Sequence, residues 1–180
     1  MCSSDLIDWA EKEAANRAGP YGGKLDMTHL IVGGNSCGGI SSINLSAKDK
    51  RPDAIYVLTG SSIGPSAGQP EVAALMSQIK IPILYIVGGP EDIARKAANM
   101  DYDAMPAGVP AVVIERASGD HILVSNNAEV HVDAAEIGLL WFKAALDKDQ
   151  AAITTLTTKA CAPCDPKVWP TIKFKNLAAR

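Results

Sequence analysis

Three side chains in this sequence have the chemistry of a nucleophile, an acid and a base, and they occur in the order Ser36, Asp92, His121. Serine is a weak nucleophile at neutral pH. It needs a base to take its proton, and imidazole titrates in the right range. The imidazole needs a carboxylate in turn, to fix its tautomer and to stabilise the imidazolium. Ser36 lies in Gly34-Asn35-Ser36-Cys37-Gly38, which has the spacing G-x-S-x-G. In that motif a serine is lifted clear of a sheet on a sharp strand-to-helix turn, and its crowded neighbours must lack a Cβ. A glycine-rich turn without chemistry has the same letters, so the flanks matter. Leu30-Ile31-Val32 before the motif reads as a buried strand, and Ile40, Ile43 and Ala47 after it recur at helical spacing.

Elimination narrows the base and the acid. The chain has three histidines. His29 opens the strand that leads into Ser36 and belongs at the opposite end of the sheet. His131 falls in a long helix, where a solvated histidine is the ordinary expectation. His121 lies in the loop after the fourth strand, at a carboxyl end. Among the acids, Asp92 follows the third strand. Asp120 would have to fold back on its neighbour His121, Asp101 and Asp103 lie further along a helix, and Glu91 is a weaker alternative. An aspartate just after Pro90 is also a favoured helix N-cap, which is compatible with the first role.

The elements that must position these groups alternate along the chain. A helix over Leu6–Ala18 ends at Gly19-Pro20. After the strand at Leu30–Val32 and its helix come an apolar strand at 54–60 and an excursion over Ser61–Pro70. Then follow a helix over Val72–Ile79, a strand at Ile81–Val87, a helix at 93–105 and a strand at 111–116. Ser118-Gly119-Asp120-His121 forms the next loop, and a long apolar helix covers 127–146. Alternating strands and helices predict an α/β fold, with a mostly parallel sheet and helices on both faces. In such sheets ligands bind at the carboxyl ends of the strands, where Ser36, Asp92 and His121 are expected. Residues 1–158 are expected to form one domain, with a short helix at 151–158. Residues 159–180 are a proline-containing tail packed on it, anchored by Trp169, Ile172 and Phe174.

Composition excludes some functions. A formal net charge of −3 gives no electrostatic reason to expect nucleic acid or an anionic membrane surface as partner. No apolar run is long enough to span a bilayer. Cys161-Ala-Pro-Cys164 is a C-x-x-C with no second pair or histidine near it, so no metal site is expected there. A local disulfide and two free thiols are both open to it, and the first would favour an oxidising compartment.

The sequence resembles the carboxyl-terminal part of an α/β-hydrolase, from the nucleophile strand onward, and is similar to dienelactone-hydrolase-like and polyester-hydrolase-like microbial enzymes. The residues that carry the likeness are Ile7-Asp8-Trp9-Ala10, Gly34-Asn35-Ser36-Cys37-Gly38-Gly39, Gly88-Gly89-Pro90-Glu91-Asp92-Ile93-Ala94 and Gly119-Asp120-His121. Trp141, the C-x-x-C and Trp169 complete it. The resemblance implies a hydrolase of small-molecule or polymer esters with no cofactor, in which Ser36 is nucleophile, Asp92 acid and His121 base. It also implies that the Cys37 backbone N–H is one of two oxyanion donors, the thiol itself being a small filler beside the serine. Ile122-Leu123-Val124 depart from the small residues that commonly follow the family's histidine. The family's earlier strands and second oxyanion donor have no counterpart here, and losing one such donor typically costs about 100- to 1,000-fold in rate.

Cys2-Ser3-Ser4-Asp5-Leu6 also matches what the end of a sequencing adapter encodes in one frame. Residues 1–6 are therefore expected to be non-native and the gene to be cut upstream, which leaves the compartment unassigned. An open flank on the Leu30–Val32 strand would invite self-association.

Overall fold

The four apolar runs each form a five-residue strand in a computed structural model of the chain, which describes residues 3–64, 68–122, 126–160 and 162–177. These are β1 (Ile31–Asn35), β2 (Ala54–Leu58), β3 (Ile83–Val87) and β4 (Ala111–Glu115), parallel and adjacent in that order. The helices are α1 (Ser3–Ala15), α2 (Cys37–Lys48), α3 (Gln69–Met76), α4 (Arg95–Ala104), α5 (Ala128–Phe142) and α6 (Gln150–Thr158). A π-helical turn, Lys143–Asp147, follows α5. The protein has an α/β fold with a mostly parallel sheet.

Both faces of the sheet are covered, which is why its strands are apolar without alternation. Ile83, Tyr85 and Val87 of β3 point to one side, where Ile43 of α2, Met76 of α3 and Tyr102 of α4 meet them. Leu84 and Ile86 point to the other, against Ile137 and Trp141 of α5 and Leu156 of α6. Each fully buried aliphatic side chain contributes about 1.5–3 kcal/mol relative to exposure. α1 stands at the periphery. Only Ile7 of its large apolar residues is buried, and Asp8 and Glu11 pair with Arg51 at 2.6 and 3.0 Å.

Two stretches differ from expectation. β1 runs on through Gly33 and Gly34 to Asn35, so the strand feeds directly into Ser36. Glycine is a poor strand former, but here the register with β2 requires it: a Cβ on Gly33 would lie 2.5 Å from the Tyr56 carbonyl oxygen. The expected tail contains a fifth strand, β5 (Thr171–Lys175), antiparallel to β4. Thr-Ile-Lys-Phe-Lys alternates, with Ile172 in the core on the α5 side and Lys173 and Lys175 reaching over α4 to Asn99 and the Asp103 carbonyl. Trp169 and Ile172 are buried, but Phe174 is 39% exposed and is not an anchor. Trp169 Nε1 donates to Asp133 Oδ2 at 2.9 Å, which ties the segment before β5 to α5.

At the other edge, β1 pairs with β2 alone among the described residues and is the least buried of the parallel strands. Among the described residues no helix is long and apolar enough to cross a membrane.

Candidate active site

Ser36 lies between the last residue of β1 and the first of α2, with φ 52° and ψ −118°. Positive φ is strained for a residue with a side chain, and such strain persists only where the surroundings impose it. Here the Ser36 N–H donates to the Leu58 carbonyl at 3.0 Å, and its own carbonyl accepts from Gly39 N–H at 2.9 Å. The turn folds back so tightly that a Cβ on Gly34 would lie 2.6 Å from the Gly38 carbonyl carbon. Gly38 itself has open space where its Cβ would be. The second crowded position is Gly39, 2.7 Å from Val57 Cγ1. The steric need expected of both outer glycines of the motif thus falls on Gly34 and, one residue late, on Gly39.

Asp92 is buried in the loop between β3 and α4. Its Oδ2 accepts from Gly88 N–H at 2.8 Å and its Oδ1 from Ala94 N–H at 2.9 Å. The N-cap of α4 is Ala94, so Asp92 organises the loop before the helix and is not the cap residue. The loop bearing His121 is fastened to the same place. Gly89 N–H donates to Gly119 O at 2.7 Å, and a Cβ on Gly89 would lie 2.5 Å from Ser118 Cα. The close approach of these two loops puts the imidazole beside the carboxylate.

His121 Nδ1 lies 2.9 Å from Asp92 Oδ1, and His121 Nε2 lies 2.7 Å from Ser36 Oγ. An ionised carboxylate can only accept, so Nδ1 carries the hydrogen toward Asp92. In neutral imidazole this leaves a lone pair on Nε2, which accepts from the Ser36 hydroxyl. The arrangement can take a proton from Ser36 and hold the resulting imidazolium against a buried carboxylate. The ring remains 23% exposed, enough for a substrate or water to reach it.

The other weighed residues lie elsewhere. His29 is exposed and pairs with Asp26 at 3.2 Å just ahead of β1, and His131 is exposed on α5. Glu91, Asp103 and Asp120 are exposed. Cys37 is a free, exposed thiol at the first residue of α2, where helix N–H groups have no acceptor within the helix. Cys164 is buried and disulfide-bonded, and Cys161 falls outside the described residues. Among the described residues no cluster of three or more His, Cys, Asp or Glu side chains could hold a metal ion.

A cavity of about 200 Å³ opens onto Ser36 and His121, walled by Ile40, Thr59, Gly60, Ser61, Gly64, Ile93 and Ala94. A larger hollow of about 470 Å³, lined by Lys80, Pro82, Pro110 and Lys148 among others, lies at the amino ends of the strands and contains no nucleophile–base pair. Ser61 and Gly64, in the excursion after β2, form part of the rim of the site cavity; residues 65–67 fall outside the described residues. Thr59 is a site residue that sequence reasoning missed. It is fully buried at φ 40°, and its Oγ1 accepts from Asn35 Nδ2 at 2.6 Å. The signal was there: Thr-Gly ends the strand adjacent to the serine turn.

No protein-family model matches the chain, and no curated protein matches it. Its chemistry is argued from the geometry of Ser36, Asp92 and His121.

Proposed function

We propose that this chain is a serine hydrolase of the α/β-hydrolase type acting on carboxylic esters. The observation that carries the proposal is the unbroken line Ser36 Oγ–His121 Nε2, His121 Nδ1–Asp92 Oδ1 at 2.7 and 2.9 Å. Ser36 Oγ attacks the ester carbonyl carbon as His121 Nε2 takes the hydroxyl proton. The tetrahedral intermediate collapses, His121 returns that proton to the leaving alcohol, and the acyl group stays on Ser36. Water, deprotonated by the same nitrogen, then attacks the acyl-enzyme and releases the acid. Asp92 holds the tautomer throughout, and the Cys37 N–H faces the developing oxyanion. The site cavity is smaller than the roughly 300–1,000 Å³ of sites that enclose a drug-sized ligand. It suits one short acyl or alcohol portion of a small or polymeric ester, with the remainder outside. The test is turnover of a 4-nitrophenyl ester by wild type and Ser36→Ala. A loss of at least about 1,000-fold is expected; equal turnover would overturn the assignment.

A second proposal is a weakly active hydrolase that self-associates through the free flank of β1. It is favoured by β1, whose residues are half-buried or exposed and which lacks a second strand partner among the described residues. Light scattering that reports mass rising with concentration supports it, and a monomer at all concentrations removes it.

A further inference from the structure

A second buried carboxylate, apart from Asp92, is Asp101, on the inner side of α4, and its exposure is zero. A buried carboxylate is costly unless paired, yet among the described residues Asp101 takes part in no ion pair. Its partners are neutral donors: Ser62 N–H and Ser62 Oγ, each at 2.5 Å, and Tyr85 O–H at 3.1 Å. Two of the three come from one residue of the loop after β2. The Ser62 carbonyl is held as well, accepting from Asn44 Nδ2 of α2 at 3.0 Å. Ser62 is therefore fixed from both sides, and the loop that it belongs to walls the cavity through Thr59, Gly60, Ser61 and Gly64. Nothing else about α4 calls for a charge at this place, since the helix otherwise packs there through Ala98 and Tyr102.

We propose that Asp101 is a positioning residue for the site: by gripping Ser62 it fixes the 59–64 loop as the cavity wall that seats the substrate beside Ser36. This rests on the hydrolase proposal for the role of the cavity, but the grip itself does not. Burial supports it from another direction, raising the Asp101 carboxyl from 3.8 to about 6 against the opposing effect of the Ser62 bonds. The site keeps an acid whose ionised form is strained by desolvation, and the groups that face it are Ser62 and Tyr85.

The test compares wild type with Asp101→Asn and with Ser62→Ala, which removes one of the two Ser62 donors. Amide hydrogen exchange of residues 59–64 is read together with KM and kcat on a 4-nitrophenyl ester above pH 7. Expected for Asp101→Asn is exchange faster by about 10- to 100-fold at 59–64 and unchanged in the loop bearing His121. KM should rise about tenfold while kcat holds within about threefold. Ser62→Ala should move both in the same direction by less. A purely structural role would lower the amount of folded enzyme and leave KM alone, and that result overturns the proposal. So does unchanged exchange at 59–64 in both variants. If wild type turns over no ester, the hydrolase proposal falls, and the exchange data still decide whether Asp101 holds the loop.

Discussion

Replacing Asp92 with asparagine separates the two duties of that carboxylate. Oδ1 serves His121 Nδ1 and Ala94 N–H, and Oδ2 serves Gly88 N–H. An amide has one oxygen to offer. With that oxygen at the Oδ1 position, its NH₂ confronts the Gly88 N–H, two donors 2.8 Å apart in wild type geometry. With the amide turned over, Gly88 is satisfied, but the NH₂ now points at Ala94 N–H and at His121 Nδ1. His121 must then accept at Nδ1 and carry its hydrogen on Nε2, toward Ser36 Oγ, where it cannot take the serine proton. The first orientation leaves a buried N–H unsatisfied at a cost of about 1–3 kcal/mol. The second misplaces the proton, and an Asp→Asn change of this kind in serine proteases lowers kcat by about 10,000-fold, or about 5.5 kcal/mol. The turned-over amide also leaves the Ala94 N–H unsatisfied, but its NH₂ donates to His121 Nδ1 where in the first orientation it confronts the Gly88 N–H, and it is therefore favoured. Asp92→Asn should thus lose about 1–3 kcal/mol of stability and about 1,000-fold or more of kcat. Thermal unfolding and ester turnover on the same preparation measure the two. An Asp92→Asn enzyme that retains turnover within about tenfold of wild type would refute the assignment of Asp92 as the group that fixes the His121 tautomer.

Two further outcomes follow from the structure. Gly34→Ala should unfold the serine turn or lower its melting temperature sharply, since its Cβ would strike Gly38 backbone, whereas Gly38→Ala meets open space and should fold normally; circular dichroism melts of the pair decide it. Asp101, raised from 3.8 to about 6, binds its proton more tightly in the folded chain, so its contribution to stability is full below about pH 3.8 and is lost as pH rises to about 6. At ~1.36 kcal/mol per pH unit this amounts to ~3 kcal/mol, so Asp101→Asn should gain on wild type across that window in urea unfolding, and a pH-independent difference would count against it.

The parallel sheet was legible because β3 and β4 are apolar on both faces, a pattern that only a doubly covered sheet accommodates. The order Ser36, Asp92, His121 was legible because each residue follows a strand. What the letters could not convey depends on distant partners. β5 is a short alternating run among prolines and becomes a strand only because β4 offers it an edge. Thr59 takes its strained backbone from the turn that it adjoins. Asp101 lies too far along its helix to serve His121; its partner Ser62 is 39 residues away in sequence, and no local pattern joins them.

The most direct measurement is where a fluorophosphonate probe attaches. Peptide mass spectrometry of the labelled protein should place the adduct on Ser36, with no label in Ser36→Ala and strongly slowed labelling in His121→Ala. An adduct on the neighbouring Cys37, or labelling that survives the loss of the Ser36 hydroxyl, would contradict the account.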